Sequence, residues 1–421
     1  MTTLKIRTER LTRCEGHGRL ILRAADGGPP AVSWEINESP RFFEAMMRGR
    51  PWLDAHVLAS RVCGICSVSH LFASLQATEA AFGIVPSAQT LLLRKLLYAG
   101  EMLESHMLHI YLLAGPDFFG AGSVIPLLEK DPEAVMPGLR LKRLGNEIME
   151  RIGGRSIHPQ SPTLAKWLRL PAKETLRHLR GRLDDAMPDI QAAVRLFRGV
   201  PVPAFSRPTE YIALKHPPEY ALLGGHIHST DTGAHPLDDY LAVTNEYVAP
   251  PSTAKFTRHA RTSYAVGALA RLKVNYDLLH PLAKQVAQEL GVAPSSCNPF
   301  MNTLAQIVEC AHEIEEAGGL IDRLLQDGLR EEDPAIPVAP GRGVGAVEAP
   351  RGLLVHDYTY DGSGRITHAN LIIPTGQNNG SIRDDLEALV AANPGMGEDE
   401  LRRLCEMLIR SYDPCVGCAS H

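Results

Sequence analysis

From Leu92 onward, apolar positions return at alternating steps of four and three: Leu96, Ala99, Leu103, His106, Ile110 and Leu113. That spacing keeps one face of a 3.6-residue repeat apolar and predicts a long core helix. Further helical patterns run over 138–152, 172–198, 260–290 and 300–328, and a last one near 398–411. The first forty residues behave differently. "LKIRTERL" and "GRLILRAADGGPPAVSWEIN" alternate apolar and polar positions about a Gly27-Gly28-Pro29-Pro30 turn, the pattern of a small β element. "DPAIPVAPGRGVGAVEAPRG" (333–352) is rich in proline and glycine and reads as loop. Two strands are predicted after it, "GLLVHDYTYD" and "RITHANLIIP", joined at Gly362-Ser363-Gly364. The fold class is therefore α-rich α+β: long central helices, a small N-terminal β element and a short C-terminal strand pair.

Composition narrows the function classes. The 421 residues carry 43 basic and 48 acidic side chains, a net charge of −5, which offers nothing to a nucleic acid or an anionic membrane. No uncharged apolar run approaches the ~18 residues of a membrane span. The N-terminal residues are charged where an export signal needs an apolar stretch. The expectation is a soluble, cytoplasmic chain.

The eight cysteines divide into two groups. Cys14, Cys297, Cys310 and Cys405 stand alone, without the spacing of an iron–sulfur cluster. The other four form two C-x-x-C pairs, "RVCGICSVSH" and "DPCVGCASH". Each pair is followed by a histidine, giving Cys63, Cys66 and His70, then Cys415, Cys418 and His421. C-x-x-C sets two thiolates on one side of a turn, and the interior glycines let backbone approach a metal. A structural zinc on four cysteines fits the spacing as well as a functional centre does. Such zinc sites usually join pairs roughly 15–20 residues apart; here the pairs are 352 apart. A chain this long also needs no metal staple to fold. Joining 61–70 to 413–421 would make the site the meeting point of one intertwined catalytic unit spanning 1–421. Glu15, in "RCEGH" beside the β element, and Glu44, in "RFFEAMM" nineteen residues before Cys63, suit proton transfer or a hard ion if buried beside metal-bound thiolates; taken singly, each fits a surface or structural carboxylate better.

"RCEGHG", "RVCGICSVSH", "EAPRG", "LIIPTGQNN" and "DPCVGCASH", in that order along the whole chain, resemble the large, catalytic subunit of nickel–iron hydrogenases. The resemblance implies that all four thiolates bind nickel, Cys63 and Cys415 terminally. Cys66 and Cys418 would bridge to an iron carrying carbon monoxide and cyanide. It assigns Glu15 to proton transfer from Cys415. It sets Pro350 and Arg351 on the open side of the metals, with Arg351 and Thr375 against the diatomic ligands. His70 would hydrogen-bond a bridging sulfur, and Glu44, the Leu371 carbonyl and His421 would bind magnesium. The implied reaction is H2 ⇌ 2H+ + 2e−. With no cluster spacing in the chain, the electrons need an iron–sulfur small subunit, with further flavin or iron–sulfur subunits beyond it. Family precursors are cut after the terminal histidine, so a chain ending at His421 corresponds to the mature form.

Departures refine the branch. Ser67 replaces a common proline, and Cys14 a common aliphatic residue. Ser105 stands where membrane-bound uptake enzymes have aspartate, and "TGQNN" lacks their tryptophan. Both features resemble the soluble, cofactor-coupled branch, with NAD(P), a deazaflavin, or ferredoxin with heterodisulfide as acceptor. Two other readings are a hydrogen-sensing regulator and a non-catalytic relative of the quinone-site subunit of respiratory complex I. The second of these lacks the four cysteines.

Overall fold

A computed structural model describes residues 4–24 and 31–421. The expected Gly27–Pro30 turn lies outside the described residues. The strands Leu4–Thr8, Gly18–Ala24 and Ala31–Ile36 form an antiparallel meander. Glu15 sits in the connection between the first two.

The long stripe from Leu92 forms the helix Ala88–Leu108, started by the Ser87 hydroxyl accepting the Thr90 N–H at 3.0 Å. It runs on into a π-helical segment, His109–Ala114. This helix packs against Pro132–Gly153 and Asn302–Asp327. At the first crossing a Cβ on Gly145 would lie 2.6 Å from the Gly100 carbonyl oxygen, so only glycine allows the two backbones to meet.

Several elements depart from the sequence expectation. The 172–198 stretch breaks into Lys173–Asp185 and Met187–Phe197, with Pro188 inside the first turn of the second. The 260–290 stretch holds a short strand, Tyr264–Ala265, before two helices, Ala268–Asn275 and Pro281–Glu289. That strand joins Glu210–Lys215, His226–Ser229 and Gly233–His235 in a sheet the periodicity did not reveal. The helix Pro374–Ala392 begins with the poor helix formers "TGQNNGS". Tertiary hydrogen bonds replace propensity there. Gln377 donates to the Leu353 carbonyl, Asn378 accepts from the Val266 N–H at 2.9 Å, and Asn379 accepts from the Trp34 indole at 3.0 Å.

The largest correction concerns 333–352. It is not all loop: Gly341–Ala349 is a strand, and with Gly352–Tyr360 and Ile366–Ile372 it makes a three-stranded antiparallel sheet in place of the expected pair. The helix Ser67–Ala81, which starts at Cys66, lies across this sheet. Cβ atoms on Gly341, Gly343 and Gly345 would fall 2.4, 2.1 and 2.2 Å from the carbonyl oxygens of Ala81, Ala77 and Ala73. A two-residue strand step advances ~6.6 Å and a four-residue helical step ~6 Å, so the two rows stay in register over three contacts. Glycines at every second position, read above as loop, are the strand's helix-facing side. We expect Gly343→Ala to cost about 1–3 kcal/mol through overpacking, seen as a lower denaturation midpoint. Gly362→Ala, with nothing within 4 Å of the added carbon, should leave it unchanged.

Candidate metal centre

Cys63 follows a 3-10 turn after the helix Trp52–Ala59, and Cys66 caps the helix Ser67–Ala81. The helix Glu398–Ser411 delivers the chain to Cys415, and Val416–Ala419 forms a single turn up to Cys418. The two pairs meet. Cys63 Sγ lies 3.7 Å from Cys415 Sγ, Cys66 Sγ lies 3.7 Å from Cys418 Sγ, and all four sulfurs lie within 4.8 Å of one another. All four are buried. Among the described residues this is the one group of three or more metal-capable side chains. Hydrogen bonding from Cys415, then Cys418 and Cys66, holds the Cys63 thiol well below its ordinary pKa, while burial pushes Cys418 up. Four soft, buried donors this close suit a thiophilic cation.

Two side chains that sequence reasoning missed fix the motifs: Arg41 joins the two, and Asp413 ties the second to Arg351. The Arg41 guanidinium donates to the Val62 carbonyl at 2.7 Å and to the Gly417 carbonyl, bridging the two motifs, while its N–H reaches the Ser420 carbonyl at 2.8 Å. Asp413 accepts from Arg351 Nη2 at 3.0 Å, and its carbonyl accepts from Arg351 Nε at 2.9 Å. Burial alone would lower the Arg351 pKa, but Asp413 and then the cysteine sulfurs raise it well above the ordinary value. Arg41 opens "RFFEAMM" and Asp413 opens "DPCVGCASH", but spacing gives neither a role; the three-dimensional ring of carbonyls and charge does.

A small cleft opens beside the sulfurs, lined by His70, Arg351, Leu354, Ile373, Pro374 and Thr375 among others. The Thr375 hydroxyl accepts the Cys415 N–H at 2.9 Å. Ala349 and Arg351 line this cleft, and between them the Pro350 carbonyl accepts from Arg271 at 3.1 Å. His70 Nδ1 faces His356 Nε2 at 3.0 Å, and burial lowers the His70 pKa to about 4, so its ring is neutral.

Glu15 pairs with Cys415 through a parallel bridge. Its carbonyl accepts the Val416 N–H at 3.0 Å, and its carboxylate accepts the Gly417 N–H at 2.7 Å. A Cβ at Gly417 would fall 2.5 Å from that carboxylate, so glycine here admits the acid. The neighbouring Cys14 donates to the Leu11 carbonyl, and burial raises its thiol to about 12, making it a packed, unreactive residue.

A second, harder set of donors lies at the terminus. Glu44 accepts the Leu371 N–H at 2.9 Å and lies 3.4 Å from His421 Nε2. Burial opposes ionisation of Glu44, but the hydrogen bond to His421 and the Leu371 N–H hold its pKa down at about 2. Lys255, paired with Glu246 at 2.8 Å, adds positive charge nearby.

This arrangement has known counterparts. The family model described as nickel-dependent hydrogenase matches residues 41–137 and 227–421. The chain belongs to this family. It is 32% identical to the alpha subunit of sulfhydrogenase 1 from Pyrococcus furiosus, over 99% of this chain and 98% of the relative. It is 29% identical to a subunit of the F420-non-reducing hydrogenase of Methanothermobacter marburgensis, over 99% and 95%. A crystal structure of an NAD+-reducing [NiFe]-hydrogenase in the H2-reduced state superposes with a TM-score of 0.89 at 27% identity, covering 99% of both chains. As a nickel-dependent hydrogenase, the protein is an oxidoreductase acting on H2, and the α+β fold is that of the family's large subunits. No described helix is long and apolar enough to cross a membrane.

In this hydrogenase Asp413 is the sole ion-pair partner given to Arg351 by the described residues. Asp413→Ala should therefore remove the one carboxylate from a buried guanidinium, leaving only the sulfurs beside it, and cost about 3–5 kcal/mol. A melting comparison with Ser411→Ala would separate this from any small change near the terminus; equal losses would contradict it.

Proposed function

We propose that this chain is the catalytic large subunit of a nickel–iron hydrogenase. Its electrons pass to an iron–sulfur small subunit, then on to a soluble acceptor: NAD(P), a deazaflavin, or ferredoxin with heterodisulfide. The observation that carries the reading is the convergence of four buried sulfurs drawn from both ends of the chain. On this reading residues 1–421 act as one catalytic unit. Cys63, Cys66, Cys415 and Cys418 would together hold the nickel, and an iron carrying carbon monoxide and cyanide would complete the centre beside them. The four thiolates fit such a pair by softness, and the cleft beside them leaves an open side. Magnesium suits the ionised Glu44 as a hard oxygen donor, with the Leu371 carbonyl and His421 completing the protein's share.

The bound centre supplies heterolytic cleavage of H2. The chain's own residues do the rest. Arg351, fixed by Asp413 at two points, holds a cation over the open side, where it favours charge separation. Leu354, Ile373 and Pro374 keep that side apolar and dry. Thr375 fixes the Cys415 backbone, and neutral His70, in the wall of the same cleft, would offer a hydrogen bond to a metal-bound sulfur. Glu15 takes and returns a proton on the Cys415 side.

The missing electron wire supports a partner. Phe42 with Met46, and Leu53 with Val57, are exposed pairs four residues apart around two short helices just before Cys63. Such an apolar row fits burial against another protein chain.

The test combines occupancy with proton transfer. Purified enzyme should show cyanide and carbonyl infrared bands, and Glu15→Gln should keep nickel, iron and those bands. Its turnover and its exchange of deuterium gas with solvent should both fall by about a hundredfold or more. Zinc in place of nickel in active enzyme would overturn the metal assignment. Undiminished exchange in Glu15→Gln would make that residue structural.

A further inference from the structure

Glu15 touches the Cys415–Cys418 side of the cluster. On the Cys63–Cys66 side the structure contains another buried carboxyl, Glu101, in the middle of the helix Ala88–Leu108. It accepts the Val68 N–H at 2.6 Å, the Ser69 N–H at 2.9 Å and the Ser69 hydroxyl, at the start of the helix that leaves Cys66. Among the described residues no arginine, lysine or histidine pairs with it. A fully buried carboxyl without a counter-cation is costly, and three neutral donors offset only part of that cost. Burial indeed pushes its pKa up to about 8 against those hydrogen bonds. The group can hold a proton near neutrality.

The Ser69 hydroxyl also lies 3.0 Å from the Tyr98 hydroxyl, which donates to the Glu348 carbonyl at 2.8 Å. Tyr98 forms part of the wall of a cavity of about 240 Å³. Tyr220, His312 and Glu313 also line it, with His280 and Glu316 paired at 2.8 Å on its half-exposed side. Glu313 is a buried residue of this wall, and its Oε1 has no hydrogen-bond partner, so the wall holds an unsatisfied polar atom. The cavity is too polar to be a packing defect.

We propose that Glu101, Ser69 and Tyr98 form a second proton conduit, from the Cys63–Cys66 side of the cluster to the cavity lined by His312 and Glu313. The inference deepens the hydrogenase reading and rests on it. The chain of hydroxyls has two orientations. With Glu101 ionised, Ser69 donates to the carboxylate. With Glu101 protonated, the carboxyl donates to Ser69, whose own proton turns to the Tyr98 oxygen, and Tyr98 turns its proton from the Glu348 carbonyl to a water admitted to the cavity. One proton enters at Glu101 and one leaves at Tyr98, with no net change in the hydroxyls. The titratable groups facing the carboxyl are few: Tyr98 on its own helix and the Cys63 thiol on the neighbouring loop, with Arg271 and Glu348 beyond Tyr98.

Infrared spectroscopy of the assembled enzyme tests the conduit without relying on turnover. The protonated-carboxyl band removed by Glu101→Gln identifies the group, and its shift on mixing into deuterium oxide gives its exchange rate. Tyr98→Phe and, independently, Ser69→Ala should slow that exchange by at least about tenfold, since each removes one relay oxygen. In a Glu15→Gln background, adding Glu101→Gln should further lower the residual exchange of deuterium gas with solvent. Carboxyl exchange as fast as wild type in both hydroxyl variants, or a double variant no slower than Glu15→Gln alone, overturns the conduit in nickel-containing enzyme. Enzyme that binds no nickel would instead overturn the reading beneath it, and the conduit with it.

Discussion

Four sulfur atoms, supplied by residues 352 positions apart, must sit within 4.8 Å of one another in a buried space. The described structure around them is arranged to meet that condition. Thiolates brought together without a cation repel, so geometry has to be held by other means until a metal neutralises them. Arg41 does this by gripping carbonyls from both motifs, and Arg351 does it by placing its charge beside the sulfurs while Asp413 balances it. Glu15 adds a backbone and a side-chain hydrogen bond to the turn between Cys415 and Cys418. These bonds fix residues 413–421 against the rest of the fold.

The same condition explains the surrounding architecture. Cys66 starts a helix that must lie flat on the C-terminal sheet, because that sheet leads through Arg351 and Thr375 back to Cys415. Glycines at alternate strand positions and alanines at every fourth helical position bring the two backbones into contact. On the other side, Arg271 joins Glu309, Glu348 and the carbonyls of Ala349 and Pro350, anchoring the turn that presents Arg351. That buried network is costly to assemble, and it buries ionised groups only where each is paired.

Much of the site was legible because its chemistry is concentrated in short motifs. Two C-x-x-C segments marked the cysteines, and the resemblance extended this to Glu15, Glu44, Arg351, Thr375 and His421, which the structure brings close to them. Arg41, Asp413 and Glu101 were not legible, since each acts through backbone groups or partners distant in sequence. The helices with apolar periodicity, such as Ala88–Leu108 and Glu398–Ser411, followed from pattern alone. Pro374–Ala392 did not, because its stability comes from buried amide side chains bonded to other segments. Gly341–Ala349 reads as loop because its composition outweighs the two-residue repeat of its glycines.

The central claim is that the two ends of the chain share one metal through all four thiolates. Nickel-edge X-ray absorption on the purified enzyme measures this directly. The account predicts a first shell made of sulfur, about four neighbours at thiolate distance, and loss of nickel when either Cys63 or Cys415 is changed to serine. A shell dominated by nitrogen or oxygen, or full nickel retention without Cys415, would contradict it.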